Sequence, residues 1–273
     1  MRDLLSLAVD TAHEAGALVA RRRADAPVEV SATKSSPTDV VTASDTAAER
    51  LIRERLQAAR PDDGFLGEEG GGTRGQSRVR WVVDPIDGTV NYLYGIPAYA
   101  VSIAAEVDGI LAVGVVHNPV SDETWTALAG AGAWLDDRPV RVGARTDPAQ
   151  ALVATGFSYD VHTRAEQGRQ VAWLLPRVRD IRRMGAASLD LCAVAGGRVD
   201  AYVEQGLKPW DLAAGSLVAR EAGARVGGLG EDEAGERLVV AANPALWDRL
   251  QDLLREAGFG GRATVSGPGR GAD

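Results

Sequence analysis

The stretch WVVDPIDGTV, residues 81–90, decides how this chain is read. Trp81, Val82 and Val83 form an apolar run suited to a buried strand, and Asp84 and Asp87 follow at once with only Pro85 and Ile86 between them. A buried carboxylate without a partner is costly, so two at the end of one core strand require cations or donors nearby. No Lys or Arg lies within 81–90. A divalent cation bound through oxygens, Mg²⁺, Mn²⁺ or Ca²⁺, is the neutraliser that suits such a pair. Pro85 fixes its own φ and has no N–H, which favours a sharp turn that aims both acids at one point. Gly88 permits close backbone approach, and Thr89 opens a predicted helical turn whose first amides are free to bind an anion. A cation site beside an anion cradle is the chemistry of phosphate. The competing reading, in which Asp87 merely stabilises an Asp-Gly turn, accounts for only one of the two acids.

Working outward, Leu4, Ala8, Ala12, Ala15 and Val19 recur at helical spacing and predict a first helix, with Arg21–Arg23 as its solvated, dipole-compensating end. Residues 45–58 repeat the pattern through Ala48, Leu51, Ile52 and Leu56, and the segment stops at Pro61 and Gly64. GEEGGGTRGQS, residues 67–77, reads as a mobile loop too rich in Gly for a regular element. Downstream, AVSIAAEVDGILAVGVVHN predicts a hairpin about Asp108-Gly109. Beyond residue 150 strands alternate with helices: ALVAT, a helix near 163–175, RDIRRM, a helix near 187–196, DAYVE, a helix near 210–222, LVVAA and a last helix near 244–257. The expected class is α+β. An antiparallel sheet fills the first half, 1–148, a smaller mixed sheet the second, 149–260, and 261–273 is expected to be a disordered tail.

Composition narrows the function. The chain has 273 residues, 45% of them hydrophobic, and a net charge of −8. That is an ordinary globular balance with no field for a polyanion, so nucleic acid is not an expected partner. The single cysteine, Cys192, rules out an intramolecular disulfide and a cysteine-based metal site, and its apolar surroundings suggest a buried thiol. The N-terminus lacks the apolar core of a signal peptide and no long apolar run occurs, so the expected location is the cytoplasm, without a membrane span. His13, His117 and His162 lie far apart and suit surface or structural roles, and Trp81, Trp125, Trp134, Trp173 and Trp247 suit the core or an interface.

Two further segments place acids beside apolar runs. Glu68 and Glu69 follow Phe65-Leu66, and Asp211 in KPWDLAAG sits in the first turn of an apolar helix, where it could serve as a simple cap. With WVVDPIDGTVNY and the upstream KSSPTDVVTASD, residues 34–45, the segments FLGEEG and PWDLAAG resemble four motifs of the inositol monophosphatase family, in order and over about residues 3–257. The resemblance implies a layered α-β-α-β-α sandwich of the sugar-phosphatase type, with most metal ligands in the first half and the substrate pocket in the second. It implies two or three Mg²⁺ ions, held by Glu68, Asp84, the Ile86 carbonyl, Asp87 and Asp211. Thr89 and Asp45 would orient and deprotonate a water beside Glu68, the amides of Gly88 and Thr89 would hold phosphate, and Lys34 would support the site. Gly185, Ala187, Glu204, Asp87 and Asp211 would line the substrate pocket. The chain departs from many relatives at Lys208-Pro209 and in the Gly-rich 70–75.

The implied activity is hydrolysis of a small-molecule phosphate monoester, inositol 1-phosphate before histidinol phosphate, fructose 1,6-bisphosphate or 3′-phosphoadenosine 5′-phosphate, in a lithium-sensitive homodimer. A metal-stabilised binding protein without turnover, and a carboxylate-pair glycosidase, are the competing classes. The first would not need both ligands and an activating hydroxyl. The second would not need an anion-binding Gly-Thr turn.

Overall fold

A computed structural model describes residues 1–260. Helices α1 (Arg2–Asp25) and α2 (Ala43–Ala59) flank a short ribbon of β1 (Val30–Thr33) and β2 (Val40–Thr42). Strands β3 (Gly64–Gly67), β4 (Gly71–Thr73), β5 (Val79–Asp87), β6 (Ala100–Val107), β7 (Ile110–Asn118), β8 (Glu123–Leu128), β9 (Gly132–Leu135) and β10 (Arg138–Pro139) form one sheet in the order β10-β9-β8-β7-β6-β5-β3-β4. A short helix, α3 (Thr89–Tyr94), leaves the end of β5. The second sheet contains β11 (Leu152–Thr155), β12 (Asp180–Arg182), β13 (Ala201–Glu204), β14 (Arg225–Gly227) and β15 (Val239–Ala242), in the order β12-β11-β13-β15-β14. With it come α4 (Val161–Leu174), α5 (Ala187–Ala195), α6 (Pro209–Glu221) and α7 (Pro244–Glu256).

Alternation along the strands produces the layers. Trp81 and Val83 of β5 point to one side, where Ala8, Ala12 and Ala15 of α1 and Ile52 and Leu56 of α2 bury them. Val82 points to the other and meets Ala213, Ala214 and Leu217 of α6, while Cys192 and Ala195 of α5 join the same cluster. The far side of α5 and α6 packs on Ala154, Tyr202, Val239 and Ala241 of the second sheet. Leu174, Leu246, Leu250 and Leu254 of α4 and α7 cover that sheet's outer face. The order is helix, sheet, helix, sheet, helix, as expected. Small residues allow the middle layer to be thin: a Cβ on Gly114 of β7 would lie 2.8 Å from the Ala214 carbonyl oxygen. Five-stranded and mixed, the second sheet has β12 and β13 parallel to β11 and β15 antiparallel to β13. In the first sheet β3 runs parallel to β5, and the other pairings are antiparallel.

Several expectations need correction. Rather than ending at Val83, the strand runs through both acids to Asp87, because a bulge intervenes: Asp84 faces Ser102 and Asp87 faces Ala100, so three steps on β5 span two on β6. Pro85 sits in that bulge, where a missing N–H costs no ladder bond. The Gly-rich 67–77 contains a strand after all, for Phe65, Leu66 and Gly67 pair with Thr73, Gly72 and Gly71. Arg22 and Arg23 are not simply solvated, since Arg22 donates to Ser44 Oγ at 3.3 Å and the Arg23 guanidinium lies 5.7 Å from the Tyr92 ring centre. The hairpin at Asp108-Gly109 is as read, both residues having positive φ (53° and 79°) between the paired Val107 and Ile110. Cys192, Trp81, Trp125 and Trp247 are buried; Trp134 and Trp173 are half-buried. His117 is buried against His13, and His162 is exposed. The expected tail, 261–273, lies outside the described residues.

Candidate active site

Between the two halves opens a cleft of about 950 Å³. Its lining includes Lys34, Glu68, Asp84, Asp87, Gly88, Thr89, Gly185, Ala187, Glu204 and Asp211, so ten of the residues singled out in the sequence meet in one place. Asp45 is fully buried behind it and reaches it through Thr89. Ile86 is buried beneath, its carbonyl oxygen accepting the Thr89 hydroxyl at 3.0 Å.

Each acid is placed by local backbone geometry. Asp45 occupies the third position of α2 in a capping box: Oδ2 accepts the Thr42 N–H at 2.8 Å and the Thr42 hydroxyl at 2.5 Å. Its other oxygen, Oδ1, accepts the Thr89 hydroxyl at 3.0 Å. Asp45 thus caps α2 and meets the Thr89 hydroxyl at the same time. Asp211 holds the same third position in α6 and accepts the Lys208 N–H at 2.6 Å. Asp87 reaches across from β5 to the start of α5, where Oδ1 accepts the Ala187 N–H at 3.2 Å and Oδ2 the Ser188 N–H and hydroxyl at 2.7 and 2.5 Å. Asp84 accepts the Ile86 N–H at 3.0 Å within the bulge. Gly88 takes φ 90°, and a Cβ there would lie 2.9 Å from the Ala98 carbonyl oxygen, so both torsion and space demand glycine.

Burial dominates the electrostatics. It pushes Asp84 well above the usual carboxylate range, and the neighbouring charges of Glu68, Asp87 and Asp211 push the same way. Asp211 is raised by burial and then by Asp87, while Asp87 is pushed up to about 6 by burial against the opposing donors of Ser188 and Ala187. Burial raises Glu68, with Lys34 opposing. Burial also works against the charge of Lys34, but Glu68 and Glu69, each 2.7 Å from its Nζ, more than offset it and hold the ammonium above its ordinary value. Glu204 is pushed up to about 7 by burial, against the Tyr202 hydroxyl at 2.6 Å and the Arg183 charge.

Among the described residues no three His, Cys, Asp or Glu side chains stand ready-gathered as a ligand set. Each acid is turned to a local donor instead: Glu68 to Lys34, Asp84 to the Ile86 amide, Asp87 to Ser188 and Asp211 to the Lys208 amide. The donor chemistry still fits a hard divalent cation, because the cleft offers carboxylate and carbonyl oxygens, and Asp84 sits among three carboxylates that repel its charge.

Sequence reading missed four contributors. Arg183 lines the cleft and has no hydrogen-bond or ion-pair partner among the described residues, and Tyr159 lines it too. Ser188 fixes Asp87, and Tyr202 fixes Glu204. Arg183 could have been noticed two residues before Gly185; Tyr159 carried no signal.

The layered α+β fold is that of a class of phosphatases. The model described as the inositol monophosphatase family matches residues 1–257, and the chain belongs to that family. Inositol-1-monophosphatase of Mycobacterium bovis is 49% identical, with 92% of this chain and 93% of the relative covered. The solved structure of the extragenic suppressor protein suhB from Bartonella henselae superposes with a TM-score of 0.88 at 37% identity, covering 93% of this chain and 99% of that one. Mycobacterium tuberculosis SuhB gives a TM-score of 0.81 at 45% identity over 94% and 98%.

Proposed function

We propose that this protein is a Mg²⁺-dependent phosphomonoesterase that hydrolyses inositol 1-phosphate to inositol and phosphate. The observation that carries the reading is the Thr89 hydroxyl, set 3.0 Å from the buried Asp45 carboxylate and at the rim of a cleft lined by Glu68, Asp84, Asp87 and Asp211. A retired site would keep no such hydroxyl–carboxylate pair.

In this reading Glu68, Asp84, Asp87, Asp211 and the Ile86 carbonyl would hold Mg²⁺, which when bound would supply Lewis-acid polarisation of the phosphate and acidification of a water. Thr89 orients the attacking water and relays its proton to Asp45 Oδ1. Asp45 can receive it because its second oxygen keeps the Thr42 bonds and the carboxyl is already raised by burial. The Gly88 and Thr89 amides orient the phosphate oxygens, and Lys34 offsets charge at the rim. Glu204, held by Tyr202, accepts a substrate hydroxyl, and the backbones of Gly185 and Ala187 shape that end of the pocket. The family resemblance extends the reading to Li⁺ inhibition and a homodimer, checked by a Li⁺ titration and by analytical ultracentrifugation.

The decisive assay is phosphate release from inositol 1-phosphate, histidinol phosphate, fructose 1,6-bisphosphate and 3′-phosphoadenosine 5′-phosphate at fixed Mg²⁺, compared by kcat/KM. Loss with a chelator, recovery with Mg²⁺ and preference for inositol 1-phosphate are expected. No release from any ester would leave the binding-protein reading standing. Preference for histidinol phosphate would move the substrate and leave the chemistry.

A further inference from the structure

Glu49 lies outside every motif used above, yet it is only 4% exposed, and both oxygens of its carboxylate are directed at the turn that carries Glu68. Oε2 accepts the Glu69 N–H and Oε1 the Gly70 N–H, each at 2.7 Å. Two successive amides aimed at one carboxylate make a small anion nest, filled here by the protein itself. Arg53, one helical turn further along α2, donates to Glu49 Oε1 and to the Gly71 carbonyl, both at 3.3 Å, and its guanidinium lies 4.0 Å from the Phe65 ring centre.

The glycines of Gly67-Glu68-Glu69-Gly70 follow from this arrangement. A Cβ on Gly70 would lie 2.6 Å from Glu49 Oε1 and 2.9 Å from Nη2 of Arg53, which Glu49 itself holds, and one on Gly67 would clash with Glu49 Oε2, its carboxyl carbon and the Phe65 ring. Such a turn, followed by Gly71 and Gly72, loses much conformational entropy on ordering and has few side chains of its own to hold it. Ligand sites work only when their side chains are held by a second set of contacts. Asp45 and Glu49 are four residues apart and share one face of α2, the first reaching Thr89 and the second the 68–70 turn.

We propose that Glu49 is a positioning residue that clamps the 68–70 turn and so fixes Glu68 in the cleft. The inference rests on the reading that Glu68 serves the phosphatase site. It is tested on the full chain with Glu49→Ala, Glu49→Gln, Gly70→Ala, Glu68→Gln and the double variant Glu49→Ala/Gly70→Ala. The readouts are hydrogen exchange of a peptide covering 66–72, Mg²⁺ calorimetry without substrate, and thermal melting. In Glu49→Ala, exchange at Glu69 and Gly70 should quicken while the rest of α2 keeps its protection, and Mg²⁺ affinity should fall about tenfold or more, the usual scale for losing a residue that orients a ligand. Gly70→Ala should reproduce the loss when Glu49 is present and add nothing in the Glu49→Ala background. Glu49→Gln, which keeps volume and one acceptor, should fall between, and with Gly70→Ala it carries the comparison should Glu49→Ala fail to fold. Unchanged exchange at Glu69 and Gly70, or additive losses in the double variant, would overturn the clamp. Unchanged Mg²⁺ affinity in Glu68→Gln would instead overturn the reading of the cleft, and faster exchange in Glu49→Ala would still uphold the clamp.

Discussion

Replacing Thr89 by Ala separates chemistry from stability more sharply than any other change in the cleft. The hydroxyl has one proton and two acceptors in range, Asp45 Oδ1 and the Ile86 carbonyl, both at 3.0 Å. Its removal leaves no charge without a partner, because Asp45 retains the Thr42 amide and hydroxyl. The stability cost should therefore be that of one hydrogen bond to a buried carboxylate, about 1.5–3 kcal/mol. If the hydroxyl passes the water's proton to Asp45, the loss in kcat should be about 10²- to 10⁴-fold, equivalent to about 3–5 kcal/mol of barrier. Activity should thus fall further, in energy, than stability. The assay is phosphate release at saturating inositol 1-phosphate over a Mg²⁺ series, with a thermal melt of each variant. The half-saturating Mg²⁺ concentration should stay near wild type, and Thr89→Ser, which restores the hydroxyl, should recover most of kcat. A kcat loss below tenfold, or a Mg²⁺ requirement rising in step with the loss, would refute the assignment.

Asp87→Asn should cost about 1–3 kcal/mol of stability in a denaturant melt, because an amide nitrogen would face the N–H groups of Ala187 or Ser188. It should also lose most turnover, and an unaltered melt would show that Asp87 does not cap α5. Glu204 is pushed up to about 7, so its carboxylate form, the stronger acceptor, is lost as pH falls through that value. Glu204→Gln should accordingly raise KM for inositol 1-phosphate more at pH 8 than at pH 6, and a pH-independent ratio of variant to wild-type KM would remove the contact. Burial, helped by His13, lowers His117 to about 4 against its ordinary 6.5. Both folded and unfolded chains are neutral there above pH 6.5; between 6.5 and 4 only the unfolded chain takes up the proton, so stability falls with pH by about 3 kcal/mol in total. His117→Gln should remove that part of the acid sensitivity, and denaturant midpoints at pH 7 and 4.5 that shift equally in variant and wild type would exclude it.

Much of this was legible because it is local. Type I′ geometry at Asp108-Gly109, the start of α6 at Pro209 and the acids at strand and helix ends are each fixed by residues within a turn of one another. The bulge in β5 was not, since a run of apolar residues reports burial and not the register of its partner, and pairing resumes at Asp87 with Ala100. Ribbon β1–β2 escaped for the opposite reason: all four residues of β1 are exposed, so no alternation marks it. Asp87 meets Ser188 from 101 positions away, and Glu49 meets Glu69 from 20, distances over which a single sequence carries no pairing signal. The Gly-rich hairpin looked like a loop because the group that orders it lies on another element.

Helix capping and site building are the same act in this fold. Asp45 accepts the N-cap amide of α2, Asp87 receives the first amides of α5 and Asp211 accepts the N-cap amide of α6, so three carboxylates that line or back the cleft are each tied to a helix N-terminus. A capping carboxylate is aimed by backbone N–H groups, whose directions are set by the helix, and not by the rotamer preferences of its own chain. The cleft therefore receives acids whose orientation is inherited from three rigid elements packed between and beside the two sheets. The repulsion between Asp87 and Asp211 is sustained because each cap bond opposes a swing into solvent. The consequence is a coupling: a substitution at any of the three moves helix and site together. A lost turnover at Asp45, Asp87 or Asp211 identifies a chemical role only when the melt of the same variant has moved by less than the activity, in the same units of free energy.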